Sequence, residues 1–320
     1  MKQSPTLHQL RILAAVAESG GVTRAAEHLH LTQPAISIQL RQLADTIGAA
    51  LFEAQGRRLI LTDAGHDVLQ AAHGIDAELE HLRSRLAARR GAHEGRLNLA
   101  AVSTAEYFMP RVLGEFQRLH PAVEIALQVL NRAEVLKRLE ANSDDAYLMT
   151  RPPDRRDIRA EAVGKNPLVV IAAPAHPWRA RRSIPVRELV GEPFVAREVG
   201  SGTRLWTDEW LRSRGLALTA RLELGSNEAV KQAVRGGFGV AVLSAHAVLM
   251  EWEHRLLVAL PVAGFPLPSK WHLVSRAGKA ASPVAEAFRA YLKRVAMPSV
   301  IQGVDAIVSG QHPPHGRPRK

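Results

Sequence analysis

Residues 23–47 carry the pattern that most restricts what this chain can become. Thr32 precedes Gln33-Pro34-Ala35-Ile36, so a hydroxyl is placed to accept from a free N–H at a helix start, and Pro34 falls in the first turn, where its missing N–H costs nothing. Ala35, Ile36, Leu40, Leu43 and Ile47 then recur at helical spacing and predict the buried stripe. Upstream, Leu7, Leu10, Leu13, Ala14 and Ala17 mark an earlier helix that Gly20-Gly21 ends. Thr23 is placed to cap a second short helix over 24–29, whose Ala25-Ala26 pair lets a neighbour approach closely, and His30-Leu31 turns the chain into the third. Two helices on so short a turn, the second bearing Gln33, Ser37, Gln39 and Arg41, form a helix-turn-helix whose last helix can lie in a DNA major groove.

Gln33 is the candidate base reader, because a carboxamide pairs bidentately with adenine. Thr23, Thr32 and Ser37 fit phosphate or capping contacts and Arg41 a phosphate contact, which position a protein without reading sequence. Arg24, Pro34 and Gln39 complete the candidate DNA-facing set; three packed helices with a solvated polar face are the alternative. The following residues favour DNA. Leu51-Phe52 and Leu59-Ile60-Leu61 flank Gln55-Gly56-Arg57-Arg58, a hairpin wing whose Arg57 and Arg58 can meet phosphate. Thr62 then caps a long helix in which Val68, Ala72, Ile75, Leu79, Leu82 and Leu86 alternate spacings of four and three, a coiled-coil seam that predicts a dimer on a pseudo-palindromic site.

Net charge argues less than it first suggests. The total is +11, but residues 1–90 hold 10 Lys+Arg against 9 Asp+Glu, so the excess lies downstream of the helix-turn-helix. It fits an anionic small ligand or a plain Arg-rich composition equally well. With 320 residues, two or three domains are expected, and 0 Cys excludes disulfides, thiolate metal sites and a Cys nucleophile. The early apolar run is broken by His8, Gln9, Arg11 and Glu18, and no stretch approaches a membrane span, so a cytoplasmic protein without a membrane partner is expected.

After His93-Glu94-Gly95, a hinge, the period changes. Strand-length apolar runs over 97–102, 123–130, 168–173, 240–243 and 271–274 alternate with helical stretches over 108–119, 203–214, 227–235 and 284–295, which predicts an α/β region with largely parallel sheets. Open α/β sheets bind ligands where strands end and helices begin. Ser103-Thr104, the run Gly200-Ser201-Gly202-Thr203-Arg204 and Ser226-Asn227 stand at such junctions, as caps or as anion contacts. Arg197 offers charge-assisted pairing to a carboxylate or phosphate, and Thr150-Arg151 is a further candidate. No enzyme constellation accompanies them: Gly200-Ser201-Gly202 is no nucleophile elbow, Gly236-Gly237-Phe238-Gly239 lacks the dinucleotide spacing, and the 14 His show no paired-ligand pattern. A solute receptor would explain a cleft but not the helix-turn-helix. Residues 298–320, with Pro298, Pro313-Pro314 and Pro318, read as a flexible tail.

The runs Leu7-x-x-Leu10-x-x-Leu13-x-x-Val16, Thr23-x-Ala25-Ala26-x-x-Leu29, Leu31-Thr32-Gln33-Pro34-Ala35-x-Ser37, Leu51-Phe52 and Leu61-Thr62-x-Ala64-Gly65 resemble the LysR-type transcriptional regulators. Ile38 is a departure, since many members carry Arg there. The resemblance implies a winged helix-turn-helix over 1–62, a dimerising linker helix over 63–92 and an effector domain over 93–297 of the two-lobed, type 2 periplasmic-binding-protein α/β fold. Its lobes would comprise 93–165 with 268–297, and 166–267. It also implies a homotetramer, double-stranded promoter DNA as partner, RNA polymerase as a further candidate partner, and no catalysis. Phe108-Met109-Pro110, Thr150-Arg151-Pro152-Pro153, the run from Asn166 to Ala172 and Arg197-Glu198-x-Gly200-Ser201-Gly202-Thr203-Arg204 resemble the branch that activates Calvin-cycle carbon-fixation operons. That branch implies no cofactor but an anionic effector such as a sugar bisphosphate, phosphoenolpyruvate or NADPH. Val199, where Pro is usual, and Asp145-Ala146-Tyr147 depart from it, and regulators of other pathways with carboxylate effectors share parts of these runs.

Overall fold

The computed structural model describes residues 4–55, 58–88, 95–278 and 281–309. The chain folds as two compact units, the first holding the residues up to Arg83 and the second nearly all that follows.

In the first unit, α1 (Leu7–Ser19) opens on a reciprocal cap: Thr6 Oγ accepts from the Gln9 N–H at 3.2 Å, and Gln9 Oε1 accepts from the Thr6 N–H at 3.0 Å. Gly20, at φ 69°, closes it. α2 (Val22–Leu29) starts two residues earlier than the sequence suggests, from Gly21 and without a side-chain cap. Thr23 is therefore no cap; it lies inside the helix, because the Gly20-Gly21 pair already completes the turn. α3 (Gln33–Ile47) does begin at Thr32, whose Oγ accepts from the Ala35 N–H at 3.3 Å, with Pro34 in the first turn. Ile36 and Leu43 are fully buried, whereas Ile47, expected in the same stripe, is 39% exposed at the last turn. β1 (Phe52–Gln55) and β2 (Arg58–Leu61) pair antiparallel with Gln55 opposite Arg58; the tip residues Gly56 and Arg57 lie outside the described residues.

α4 (Asp63–Ala88) starts at Thr62, whose Oγ accepts from the Gly65 N–H at 3.0 Å and donates to the Ala50 carbonyl at 2.6 Å. Gly65 allows this joint: a Cβ built on it would stand 2.0 Å from the Leu51 carbonyl oxygen. Val68 and Ala72 pack in one core with Leu10, Leu13, Leu43 and Leu51, so the expected dimer seam is corrected at its start. Those two positions are spent inside the chain, whereas Ile75, Leu82 and Leu86 stay 39%, 45% and 46% exposed.

The second unit has two α/β lobes. In the first, β3 (Gly95–Val102) leads through a 3-10 turn (Ser103–Tyr107) into α5 (Met109–Leu119), β4 (Val123–Leu130), α6 (Arg132–Glu140), β5 (Ala146–Met149) and β6 (Ile158–Lys165). The chain then crosses into β7 (Leu168–Ala172), β8 (Phe194–Arg197), α7 (Gly202–Arg212), β9 (Ala220–Leu224), α8 (Asn227–Arg235), β10 (Ala241–Ser244), α9 (Ala245–Glu253) and β11 (Val258–Leu260). It returns as β12 (Lys270–Arg276), completing the first sheet in the order β4-β3-β5-β12-β6. The second lobe orders β10-β7-β11 and β8-β9, with a parallel bridge from Phe194 to Val240 joining the two sets.

The sheets are mixed rather than largely parallel. β3 runs parallel to β4 and β5, and β8 to β9, but β12 is antiparallel to β5 and β6, and β7 is antiparallel to β10 and β11. The strand that enters each lobe from the other, β7 or β12, is the one that runs against its neighbours. Phe108, Phe116, Trp271 and Phe288 fill the first lobe's core.

The chain does not become a flexible tail at 298. α10 (Pro283–Tyr291), a π turn (Leu292–Ala296), α11 (Met297–Gln302) and α12 (Asp305–Val308) follow one another, with Pro298 in a first turn, where proline is tolerated. Val300 joins the first lobe's core, and Val304 and Ile307 join a core in the second. These apolar residues recur at helical spacing and are buried, which corrects the expectation for 298–309; 310–320 lie outside the described residues.

Candidate functional site

Strand ends and helix starts from both lobes meet in one narrow crevice. The first lobe supplies Ser103, Thr104, Asn131, Arg132 and Thr150; the second supplies Arg197, Ser201, Gly202 and Thr203. Arg197, at the end of β8 and only 3% exposed, is the centre. One of its terminal nitrogens donates to Asn227 Oδ1 in the second lobe and the other to Ser103 Oγ in the first, at 3.2 Å. Its Nε and one terminal nitrogen also meet both oxygens of Glu198, at 2.8 and 3.0 Å. A buried cation bonded to both lobes is thus neutralised by the carboxylate next to it in sequence.

The remaining groups are donors. Ser201 begins α7 without making a side-chain cap bond, so the first N–H groups of that helix and its positive dipole end are left for a ligand. α8 differs: Ser226 Oγ caps it by accepting from the Ala229 N–H at 3.1 Å. Arg132 bonds the Arg151 carbonyl at 3.2 and 2.9 Å rather than a carboxylate, and burial, then the adjacent Arg151, lower its pKa. Asn227 Nδ2 is buried without a hydrogen-bond partner, a donor that bears on the same region. Gly200, at φ 96°, makes the left-handed turn that leads into α7, and a Cβ on Gly202 would press to 3.1 Å from Thr150 Oγ1. Together these groups form a donor-rich lining, but the crevice they enclose is only about 10 Å³ as it stands, so an anion enters it only when the lobes part.

Beyond Thr150 lies a larger groove of about 590 Å³, walled by Arg151, Trp206, Pro268 and the two crossover strands. Arg151 pairs with Glu209 at 2.5 Å and lies over the Trp206 ring at 4.9 Å. Lys165 and Lys270 also line it and stand directly opposite each other in the β6–β12 register, an arrangement of like charges that opposes strand pairing.

In the first unit, Gln33, Pro34, Ser37, Ile38 and Arg41 share the exposed face of α3. Gln39 lies off that face, half-buried toward the side of Ile36 and Leu43. Thr23 is exposed, Thr32 is held as a cap, and Arg24 reaches back to the Gly20 carbonyl at 3.5 Å.

Residues 7–66 match the family model described as bacterial regulatory helix-turn-helix protein, lysR family, and residues 90–297 match the LysR substrate binding domain. The chain belongs to the LysR family. This LysR-family chain is 46% identical over 287 residues to a RuBisCO operon transcriptional regulator of Acidithiobacillus ferrooxidans, covering 90% of this chain and 93% of that one. It is 42% identical over 290 residues to the HTH-type transcriptional activator CmpR of Synechocystis, covering 91% and 95%. Among solved structures, the regulatory domain of Synechocystis CcmR in complex with 2-PG superposes with a TM-score of 0.61 at 41% identity, over 63% of this chain and 97% of that one. The regulator CbnR, at 20% identity and a TM-score of 0.68 over 91% and 99%, shares the fold.

For this LysR-family protein, strand-to-helix reasoning located Ser103, Thr104, Thr150, Arg197 and Ser201 to Thr203, which the fold brings together, and Asn227, which it bonds to Arg197. It missed Asn131 and Arg132, although they follow the strand run ending at Leu130 just as Ser103 follows Val102. The same junction rule would have found them. Among the described residues, no helix is long and apolar enough to cross a membrane, and no cluster of His, Asp and Glu is arranged to hold a metal.

Proposed function

We propose that the chain is a cytoplasmic transcriptional activator of a carbon-fixation operon, not an enzyme, and that a small phosphorylated anion at Arg197 controls its hold on promoter DNA. The observation that supports this most directly is Arg197 itself, a buried guanidinium reaching Ser103 in one lobe and Asn227 in the other. An anion accepted there touches both lobes, so it binds one closure of the crevice more tightly than another, and only such differential affinity shifts a conformational equilibrium. The free N–H groups of α7, Ser201 and Arg132 supply the remaining donors. The relative whose regulatory domain holds 2-PG, 2-phosphoglycolate, makes a phosphorylated carboxylate the first candidate. The groove beyond Thr150 gives a larger sugar bisphosphate, phosphoenolpyruvate or NADPH room as well.

Full-length protein should be titrated with these four compounds by calorimetry, and its footprint and DNA bend read with and without each. At least one is expected to bind in the micromolar range and to alter the footprint. If none binds and the footprint never changes, effector control by phosphorylated anions is wrong.

On the DNA side, Gln33 reads a base edge, while Ser37, Arg41 and the wing residues Arg57 and Arg58 meet phosphate. Dimerisation runs through the exposed Ile75, Leu82 and Leu86 of α4 together with the half-buried Leu79, with pairs of dimers forming a tetramer. Leu82→Asp with Leu86→Asp is expected to convert the assembly to smaller species by analytical ultracentrifugation. DNA affinity should fall at least tenfold, since a half-site loses its tethered neighbour. An unchanged sedimentation profile would move the interface elsewhere.

A further inference from the structure

Ile38 is 53% exposed on α3, the most open large apolar side chain of the described helix-turn-helix residues. It does not lie on a neglected side of the helix. At about 100° per residue, Gln33, Ser37 and Arg41 form one rail along the exposed face, and Pro34 and Ile38 form a second rail beside it. The first rail offers an amide, a hydroxyl and a guanidinium; the second offers carbon at Pro34 and Ile38 and reaches the exposed amide of Gln42 only a turn later. Ile36 and Leu43 bury the opposite face, so the packing of α3 makes no use of Ile38.

The major groove presents one apolar feature, the C5 methyl of thymine, on the same base pair whose adenine offers N7 and N6 to a carboxamide. A face that sets the Gln33 amide beside the carbon of Pro34 and Ile38 is complementary to A·T pairs read from both sides. We infer that Ile38 is a specificity determinant that packs on a thymine methyl in the half-site. This rests on the reading of α3 as the groove helix. Ile38 lies five residues beyond Gln33, about 7.5 Å along the helix at ~1.5 Å per residue. With base steps of about 3.4 Å, its thymine falls about two base pairs from the adenine met by Gln33.

Replacing thymine by deoxyuridine removes the methyl and nothing else. Duplexes are selected from a random pool by the full-length protein, and each thymine of the selected half-site is replaced in turn, for wild type and for Ile38→Ala. Wild type is expected to lose three- to tenfold in affinity at one thymine per half-site, and Ile38→Ala to be indifferent to the methyl at that position alone. The variant should melt with wild type and keep its salt dependence, because no phosphate contact is removed. If every thymine responds equally in the two proteins, or Ile38→Ala weakens all duplexes uniformly, the assignment is overturned. Failure of wild type to select any sequence, or indifference of selection to Gln33→Ala, would instead overturn the groove-helix reading beneath it.

Discussion

Arg197→Met abolishes the response to phosphorylated anions, with affinity expected to fall at least a hundredfold by calorimetry, while promoter binding in the ligand-free form survives. The guanidinium is nearly inaccessible and is the only side chain seen to donate to both Ser103 and Asn227 among the described residues. Losing one partner of a buried charge-assisted pair costs roughly 2–5 kcal/mol, and each ~1.4 kcal/mol is a factor of ten. Methionine approximates the aliphatic stem, which limits the packing loss, but it leaves Asn227 Oδ1 without its donor. Arg197→Lys discriminates charge from geometry: an ammonium is a point donor and cannot serve Asn227, Ser103 and Glu198 with a planar fork. It should recover part of the affinity and little of the footprint change. Wild-type affinity in Arg197→Met would place the anion elsewhere.

Gly65→Ala is expected to destroy specific DNA binding while sparing the effector domain. The added Cβ meets backbone, 2.0 Å from the Leu51 carbonyl oxygen and 3.0 Å from its carbon, and neither can swing aside as a side-chain tip would. Alanine favours a helix over glycine by about 1 kcal/mol, but overpacking against fixed atoms costs about 1–3 kcal/mol or more. The same joint holds the Thr62 hydroxyl to Ala50 and Gly65, so α4 and the wing loosen together. Calorimetry should show an early transition for the first unit and an unchanged later one. A melting profile like that of wild type, with normal DNA affinity, would mean the joint relaxes freely.

The first unit was legible because its signals are local. Thr32, Pro34 and Gly20 act within a turn of where they stand, and each does in the fold what its chemistry implies. Thr23 misled because two candidate starts lay two residues apart, and the glycine pair decided between them. Val68 and Ala72 show the limit of a periodic pattern: the four-three spacing says that one face of α4 is apolar, not what covers it. In the second unit, β3, β4, β7, β10 and β12 were visible as apolar runs, but β8 ends on Arg197, β9 is interrupted by Arg221 and Glu223, and α9 follows β10 without a turn residue, so these three did not stand out. The crevice was half legible. Strand ends name candidate donors, but the contact of Arg197 with Ser103 joins residues 94 positions apart, which no local pattern encodes. The tail over 298–309 was misread because its few apolar residues find their partners only in cores built by distant strands.

Glu198 gives the proposed sensor a set point. Its carboxylate already occupies the Arg197 fork, so an incoming anion enters a competition rather than a vacancy. The rival is tethered to the adjacent residue, and a tethered group is present at a high, constant effective concentration that no dilution lowers. A metabolite therefore registers only once its own concentration outweighs that resident carboxylate. Such a sensor is insensitive to traces and graded over an accumulating pool, which suits a gene switch meant to follow metabolic flux rather than the first molecules of it.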